Sequence, residues 1–477
     1  MQLSHTRPVA AVRFDDPNLV ATAGLVPMMA LAQASGLLSL ADQHLSVPTD
    51  KGANAGRKIG SLVGGMVAGA DSIADLALLR HGAMGTIFDR PYAPSTLGSF
   101  LRQFTFGHVR QLDAVASRFL LGLAARTPVV AGIDTGRVLV DIDDTIIEVH
   151  GHGKQGSGYG YSGVRGLNAL LATVTTDTAA PVIVGQRLRR GACGSPRGAA
   201  RMVADALATV DRLRTHSTES AAESTQKVLV RLDSAFYGHP TLGAAIAAGA
   251  DVSVTVRLTS TIKRAIESID DDDDAWTPIE YTDAIYDEDT DTWISRAEVA
   301  EIDFTAFASQ RKAHRIPGRL VVRRIPDLRP KKDQDQGTLF DIWRFHAFFT
   351  TTDTTDLDTV TADKLHRQHA IVEQVNADLK NSALAHLPSG RFTANAAWLV
   401  CAVMAFNLTR AAGTLTHDPK LVKATTGTIR RTVVSVPARI ASSARRLTLH
   451  LPQRWPWETA WNTLFDCMFG RNQPIIA

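Results

Sequence analysis

Cysteine is nearly absent: Cys193, Cys401 and Cys467 are the only three in 477 residues. An odd number without paired spacing excludes a disulfide framework and a cysteine-based zinc site, and fits a reducing compartment. Cys193 has no evident base partner in the sequence and reads as a free thiol. Long apolar runs are also missing. The most apolar stretch, Ala394 to Leu408, is about 15 residues, short of the roughly 20 needed to span a bilayer, so no membrane association is expected. The first residues, Met1 to Asp16, show no basic segment leading into an apolar one, so no secretory signal is expected. Net charge is small, 51 − 48 = +3. Hydrophobic residues at 45% and charged residues at 21% exclude fibrous and wholly disordered readings.

The charge is unevenly distributed. From Lys420 to Trp457 there are eight cations (Lys420, Lys423, Arg430, Arg431, Arg439, Arg445, Arg446, Arg454) and no acid. A second cluster, Arg187, Arg189, Arg190, Arg197 and Arg201, is interspersed with Gly and Pro. Two such clusters in a chain of near-neutral total charge point to a polyanion partner. Conversely, Glu267 to Asp291 holds twelve acids and no Lys or Arg, which predicts a solvated loop facing away from that partner.

Apolar spacing predicts helices across residues 19–130, with an N-cap at Ser95 or Thr96 that could open a helix-turn-helix. From Arg137 the pattern changes to buried strands at 137–142, 167–174, 181–184 and 228–232, with a helix over Met202 to Leu213. Residues 240–350 alternate as strands around the acidic run; Ala362 to Leu379 and Thr393 to Ala411 read as helices. The expected organisation is a helical N-terminal domain (1–130), an α/β core (131–239 and 351–415) interrupted by a β-rich insertion (240–350), and a basic, largely helical tail (416–477).

Two apolar strands end in acids: Asp143, flanked by Asp141 and Asp144, and Asp233. Strand ends are where an α/β sheet exposes reactive groups. On the helix from Ala362, at about 100° per residue, His366, His369, Glu373 and Lys380 share one side and Ile371, Val372, Val375 and Leu379 the other. Carboxylates brought to about 4 Å repel by roughly 1 to 4 kcal/mol per pair. Divalent cations remove that cost, and two Mg²⁺ ions would activate a water or 3′-OH for attack on a phosphodiester. Asp143 is the preferred metal ligand of the three, because strand alternation points it opposite to Ile142.

The segments Val140-Asp-Ile-Asp-Asp-Thr145, Val230-Arg-Leu-Asp-Ser-Ala-Phe-Tyr237 and the helix with Glu373 and Lys380 resemble the DDE transposases of bacterial insertion sequences. The spacings, 233 − 143 = 90 and 373 − 233 = 140, leave room for an insertion before the last acid. The resemblance implies an RNase H-like catalytic core in which Asp143, Asp233 and Glu373 hold two Mg²⁺ ions, replaceable by Mn²⁺. It implies metal-dependent cutting of transposon ends and transfer of their 3′-OH groups into target DNA, by at least a homodimer on double-stranded DNA. A bacterial cytoplasmic protein, associated with the nucleoid when bound, is expected. In the subgroup with this insertion the last motif is Tyr-x2-Arg-x3-Glu-x6-Lys; here His366 and His369 replace the Tyr and Arg. Lys380 is then the phosphate contact, with His369 or Arg367 standing in for the missing Arg.

Further candidates for DNA contact are Lys154 in the glycine-rich stretch 151–161, Arg187, Arg189, Arg190, Arg430, Arg431, Arg445 and Arg446. In the resembling transposases an insertion-domain Trp stacks on a flipped base, and Trp293 is the candidate here, ahead of Trp276 and of Trp343, which reads as part of a strand. Three alternatives stand beside this reading. Asp141-x-Asp-x-Thr145 also matches the nucleophile motif of haloacid-dehalogenase-like phosphatases, His366, His369 and Glu373 could bind zinc, and a catalytically decayed relative would bind DNA without cutting it.

Overall fold

The structure is a computed structural model that describes residues 11–470, apart from 152, 161, 218–226, 270–274, 288–291, 327–342 and 444–445. Its strands, in chain order, are β1 (Leu19–Val20), β2 (Val138–Glu148), β3 (Gly158–Tyr159), β4 (Arg165–Thr176), β5 (Val182–Arg190), β6 (Leu229–Leu232), β7 (Asp251–Thr255), β8 (Thr277–Asp287), β9 (Thr292–Ala306), β10 (Ile316–Pro326), β11 (Trp343–Thr350), β12 (Ala438–Ser443) and β13 (Arg446–His450). β2 to β11 form one ten-stranded mixed sheet, ordered β5–β4–β2–β6–β7–β11–β10–β9–β8, with β3 pairing with the first residues of β4. β4 runs antiparallel to both of its neighbours, β5 and β2. β6 and β7 run parallel to β2, and β11 to β8 return to antiparallel pairing.

β2 is rich in Val and Ile, and its first residues are buried on both faces, as expected for a central strand. Its period of two places Leu139, Asp141 and Asp143 on one face and Val140, Ile142 and Asp144 on the other. The second face is covered by the helix Ala199–Ser217. The first face meets the acid-bearing segment of residues 359–380. The sequence pattern predicts one helix there; the structure has two, Thr359–Arg367 and Ile371–Lys380, joined by a 3-10 turn at Gln368–Ala370.

The helices of the N-terminal part, among them Leu25–Ala34, Ala55–Ala68 and Phe106–Ala124, share one continuous apolar core with the sheet and with the helix Phe392–Leu415. That helix is long and apolar enough to cross a bilayer, but 89% of its most apolar window lies inside the protein. Its buried polar groups are all engaged where the backbone needs them. Asn407 accepts from the Ile183 N–H at 2.9 Å and donates to the Ile183 carbonyl at 2.8 Å, closing the edge strand β5 beside its bulge. Trp398 Nε1 donates to the Ala383 carbonyl at 2.7 Å.

Three local expectations change. The helix Pro94–Arg102 starts at Pro94 after Ala93, with no cap from Ser95 or Thr96, because proline already fixes the first helical φ. The tail is not simply helical: β12 and β13 form a hairpin that adds to β1 in a three-stranded sheet, and the helix Glu458–Phe469 returns onto Leu25–Ala34. Of the acidic stretch, Glu267 ends the helix Ser260–Glu267 and residues 277–287 are a strand, while Asp270 to Asp274, Glu288, Asp289 and Asp291 lie outside the described residues.

The deepest polar contact fixes the sheet to the segment 359–380. Asp141 and Arg231 stand opposite each other in the parallel β2–β6 pair, at 0% and 1% exposure. Arg231 donates from Nε and Nη2 to the two Asp141 oxygens, each at 2.7 Å, and from Nη1 to the Leu365 carbonyl at 2.6 Å. His369 Nδ1 lies 2.8 Å from Asp141 Oδ1. Burial alone would raise the Asp141 pKa, but the Arg231 charge and the His369 and Arg231 hydrogen bonds hold it below the ordinary value. Removing one partner of such a pair strands a buried charge. Arg231→Met is therefore expected to cost about 3–5 kcal/mol in urea unfolding, and Arg231→Met combined with Asp141→Leu to recover most of the loss; unchanged stability of the single variant would refute this.

Candidate active site

Ile142 pairs with Leu232 in the parallel ladder, so Asp143 and Asp233 follow side by side on neighbouring strands. β6 ends before Asp233, whereas pairing with β4 carries β2 on to Glu148, so Asp143 lies within its strand and not at the end the sequence pattern predicts. Each lies two residues beyond a member of the buried ion pair, and the strand period puts both acids on that pair's face. Asp233 caps the short turn Ser234–Phe236, its Oδ1 accepting from the Ala235 N–H at 2.8 Å. Asp143 Oδ2 accepts from Asn376 Nδ2 at 2.8 Å. Burial pushes the Asp143 carboxyl up to about 6, and the charges of Asp233 and Asp144 add to that shift. Asp233 is raised as well, by burial first and then by Asp144. Two half-buried carboxylates, both raised by burial and by neighbouring acids, form a site of excess negative charge.

The flanking acids are occupied. Asp141 is fully buried on Arg231 and His369, which leaves it unavailable as a phosphatase nucleophile. Asp144, on the opposite face of β2, accepts from Arg189 Nη2 at 2.8 Å and from Asn168 Nδ2. Arg189 is thus not a surface cation: it is buried, and its remaining donors go to Asn168 and to the carbonyls of Ser195 and Arg197. The cause is register, since Arg189 faces Asn168 directly across the β4–β5 pair.

The helical residues divide as follows. His366 turns away from the acids. Its Nδ1 is 2.8 Å from Ser253 Oγ, its Nε2 is 2.9 Å from Thr255 Oγ1, and its ring stacks on Phe348 at 4.1 Å. Burial lowers its pKa to about 3, so it is a neutral packing group. With His369 committed to Asp141, these two histidines do not converge with Glu373 as a zinc site. The break at Gln368–Ala370 rotates His366 off the predicted shared side. Glu373 is exposed, one turn before Asn376. Lys380 lies one turn beyond Asn376; burial lowers its pKa and the Asp143 charge acts in the opposite sense. Arg367 donates from Nε to Asp363 at 2.8 Å. Among the described residues no three metal-ligating side chains are gathered into one cluster: the fold brings Asp143 and Asp233 together and leaves Glu373 at the rim. The oxygen donors of that pair and their raised pKa values suit a hard divalent cation.

Asp143, Asp144 and Asp233 line a cleft of about 1090 Å³, with Tyr237, Arg257 and Phe307 also on its wall. Phe307 stacks on Tyr237 at 5.0 Å and holds a left-handed φ of 58°. Lys154 donates to the Leu387 carbonyl and so ties the glycine hairpin to a loop. Arg187 is half-buried near Asp205, and Arg430 is half-buried against Gly69. Arg190, Arg431 and Arg446 are exposed. Arg445 and the Trp293 side chain lie outside the described residues. Trp276 and Trp343 flank the Arg324 guanidinium at 4.2 and 4.5 Å. Sequence reasoning missed Arg231, Asn168 and Asn376. The usable signals were strand parity for Arg231, two residues before Asp233, and helical spacing for Asn376, four before Lys380.

Asp143 in the folded chain titrates near 6, against 3.8 for the unfolded group. The folded state therefore keeps a proton that the unfolded state loses, and this contribution to stability falls as pH rises through that window. Asp143→Asn is expected to stabilise the metal-free protein at pH 7.5 by about 1–3 kcal/mol and to flatten its stability between about pH 4 and 6. Urea unfolding at both ends of the window checks this, and a destabilised variant at pH 7.5 would refute it.

Comparison with known proteins places the chain. No curated protein matches it. The family model described as transposase DDE domain group 1 matches residues 2–470, nearly the whole length. With two aspartates side by side on neighbouring strands of a mixed α/β sheet, the chain belongs to the transposase DDE domain group 1 family.

Proposed function

We propose that the chain cuts the ends of its own DNA element and joins their 3′-OH groups to target DNA, using divalent metal held by Asp143, Asp233 and Glu373. The observation that carries this reading is the side-by-side placement of Asp143 and Asp233, with raised pKa values, in an open cleft. The sheet order supports an RNase H-like core: β4 antiparallel to β5 and β2, then β6 and β7 parallel to β2. β8 to β11 lie between that core and the helix bearing Glu373, so the insertion begins after β7 and not at 240 as the sequence pattern suggests, because β7 pairs in parallel with β6.

Bound Mg²⁺ or Mn²⁺, two ions per site, supplies activation of the attacking hydroxyl and charge stabilisation on the leaving oxygen. The chain's own residues prepare the site. Asn376 fixes the Asp143 carboxylate by hydrogen bond. Glu373 completes the donor set by a side-chain rotation on its exposed helix face. Lys380 contacts a phosphate of the cut strand. His369, bound to Asp141, holds the helix in place rather than replacing the arginine of the family motif. Exposed Arg190, Arg431 and Arg446, with Arg445, extend the DNA contact, and two protomers hold two ends together.

The test is incubation of the full chain with duplexes from the DNA flanking its gene, in Mg²⁺ or Mn²⁺. Wild type is expected to cleave at the element ends, and Asp233→Asn and Glu373→Gln to be inactive. Asn376→Leu should lose about 10–100-fold, as supporting residues of metal ligands do. Binding without cleavage in either metal would refute the catalytic reading.

A further inference from the structure

We propose that a basic groove between the helices Phe106–Ala124 and Ala199–Ser217, on the face of β5 that carries Arg187, binds the phosphate backbone of duplex DNA. The proposal rests on the DNA-directed function of the family but not on catalysis. The groove has a volume of about 380 Å³, and Arg110, Arg118, Arg187 and Arg212 line it together with Asp113 and Asp205. Arg201 joins them through Asp205, making five guanidinium groups against two carboxylates.

Three of the guanidiniums converge on the single Asp205 carboxylate: Arg201 at 2.8 Å, Arg187 at 3.6 Å and Arg110 at 3.7 Å. The two longer contacts are beyond ordinary hydrogen-bond length, so attraction holds these groups without committing those donors. Asp113 lies 3.2 Å from Arg110 and accepts from the Gln186 amide at 2.9 Å, so it offsets one guanidinium and Asp205 another, leaving three of the five in excess. The remaining polar lining is hydroxyl: Arg212 Nη2 donates to Ser117 Oγ at 3.0 Å and Thr209 Oγ1 at 2.9 Å. Exposed Arg118 donates at 3.2 Å to the Ala114 carbonyl of its own helix, its one hydrogen bond among the described residues. A surplus of guanidinium around one carboxylate is the chemistry of a phosphate site.

The groove is joined to the cleft through β5. Arg187 is on the same face of β5 as Arg189, two residues on, and Arg189 holds Asp144 beside the cleft. Register puts Arg187 on the same face of the sheet as Asp144, opposite to Asp143 and Asp233, so the groove is a DNA contact separate from the metal-binding pair.

Salt dependence of binding tests this directly. Affinity of the full chain for a short labelled duplex of arbitrary sequence is measured by anisotropy across about 50 to 200 mM KCl, where each phosphate contact adds close to one to the slope. R118Q combined with R212Q is expected to reduce the slope by about 2, and R118Q alone by about 1; the corresponding lysine variants keep it. A melting midpoint checks that both variants stay packed, above all without the Arg212 bonds. An unchanged slope in both glutamine variants overturns the groove. Failed cleavage with a reduced slope would leave the groove standing while removing the catalytic reading.

Discussion

The site depends on one buried ion pair. Asp141 and Arg231 sit on adjacent parallel strands, inaccessible to water, and their hydrogen bonds reach both His369 and the Leu365 carbonyl. Through those contacts the sheet, the 3-10 break and the helix of Glu373 and Lys380 become one rigid unit. Asp143 and Asp233 are the next residues of matching parity along the same two strands. The geometry of the acids is thus inherited from the pair below them, and an error in strand register would move both acids off the helix-facing side.

Three acids in four residues meet three different fates. Asp141 is neutralised by Arg231 and His369, Asp144 by Arg189 and Asn168, and Asp143 is left with an amide and a neighbouring aspartate. Only the last accumulates repulsion, which is the condition under which a cation binds with most gain. The stability of the metal-free chain is correspondingly lower than that of a sheet with a neutral residue at Asp143, an instance of a site held at the expense of the fold.

The end of β6 at Asp233 was legible in the sequence because an apolar run finishes there, but the end expected at Asp143 was not, since pairing with β4 carries β2 on to Glu148. Strand parity separates Asp143 from Asp144 only, and it is the ion pair with Arg231 that sets Asp141 apart. The α/β class was legible from the change of period at Arg137. What failed was local. Helical periodicity carries through 366–379, so the break at Gln368–Ala370 is invisible to it; the break arises from tertiary contacts of His366 with β7 and β11. Arg189 looked like a surface cation because a charge cluster is read along the chain, whereas its partner Asp144 is two strands away. The hairpin of the tail was hidden because β12 and β13 are short and polar and gain their pairing from β1. Glu373 is exposed and is not among the residues that line the cleft, a placement that helical spacing alone does not encode.

The central claim is that Asp143 and Asp233, and not their flanking acids, are the metal-binding pair. Mn²⁺ titration of the full chain followed by electron paramagnetic resonance, comparing wild type with Asp143→Asn and Asp233→Asn, tests it most directly. The account predicts that the wild type takes up Mn²⁺ and that either substitution abolishes the uptake while the chain stays folded. Mn²⁺ uptake undiminished in both variants would contradict it.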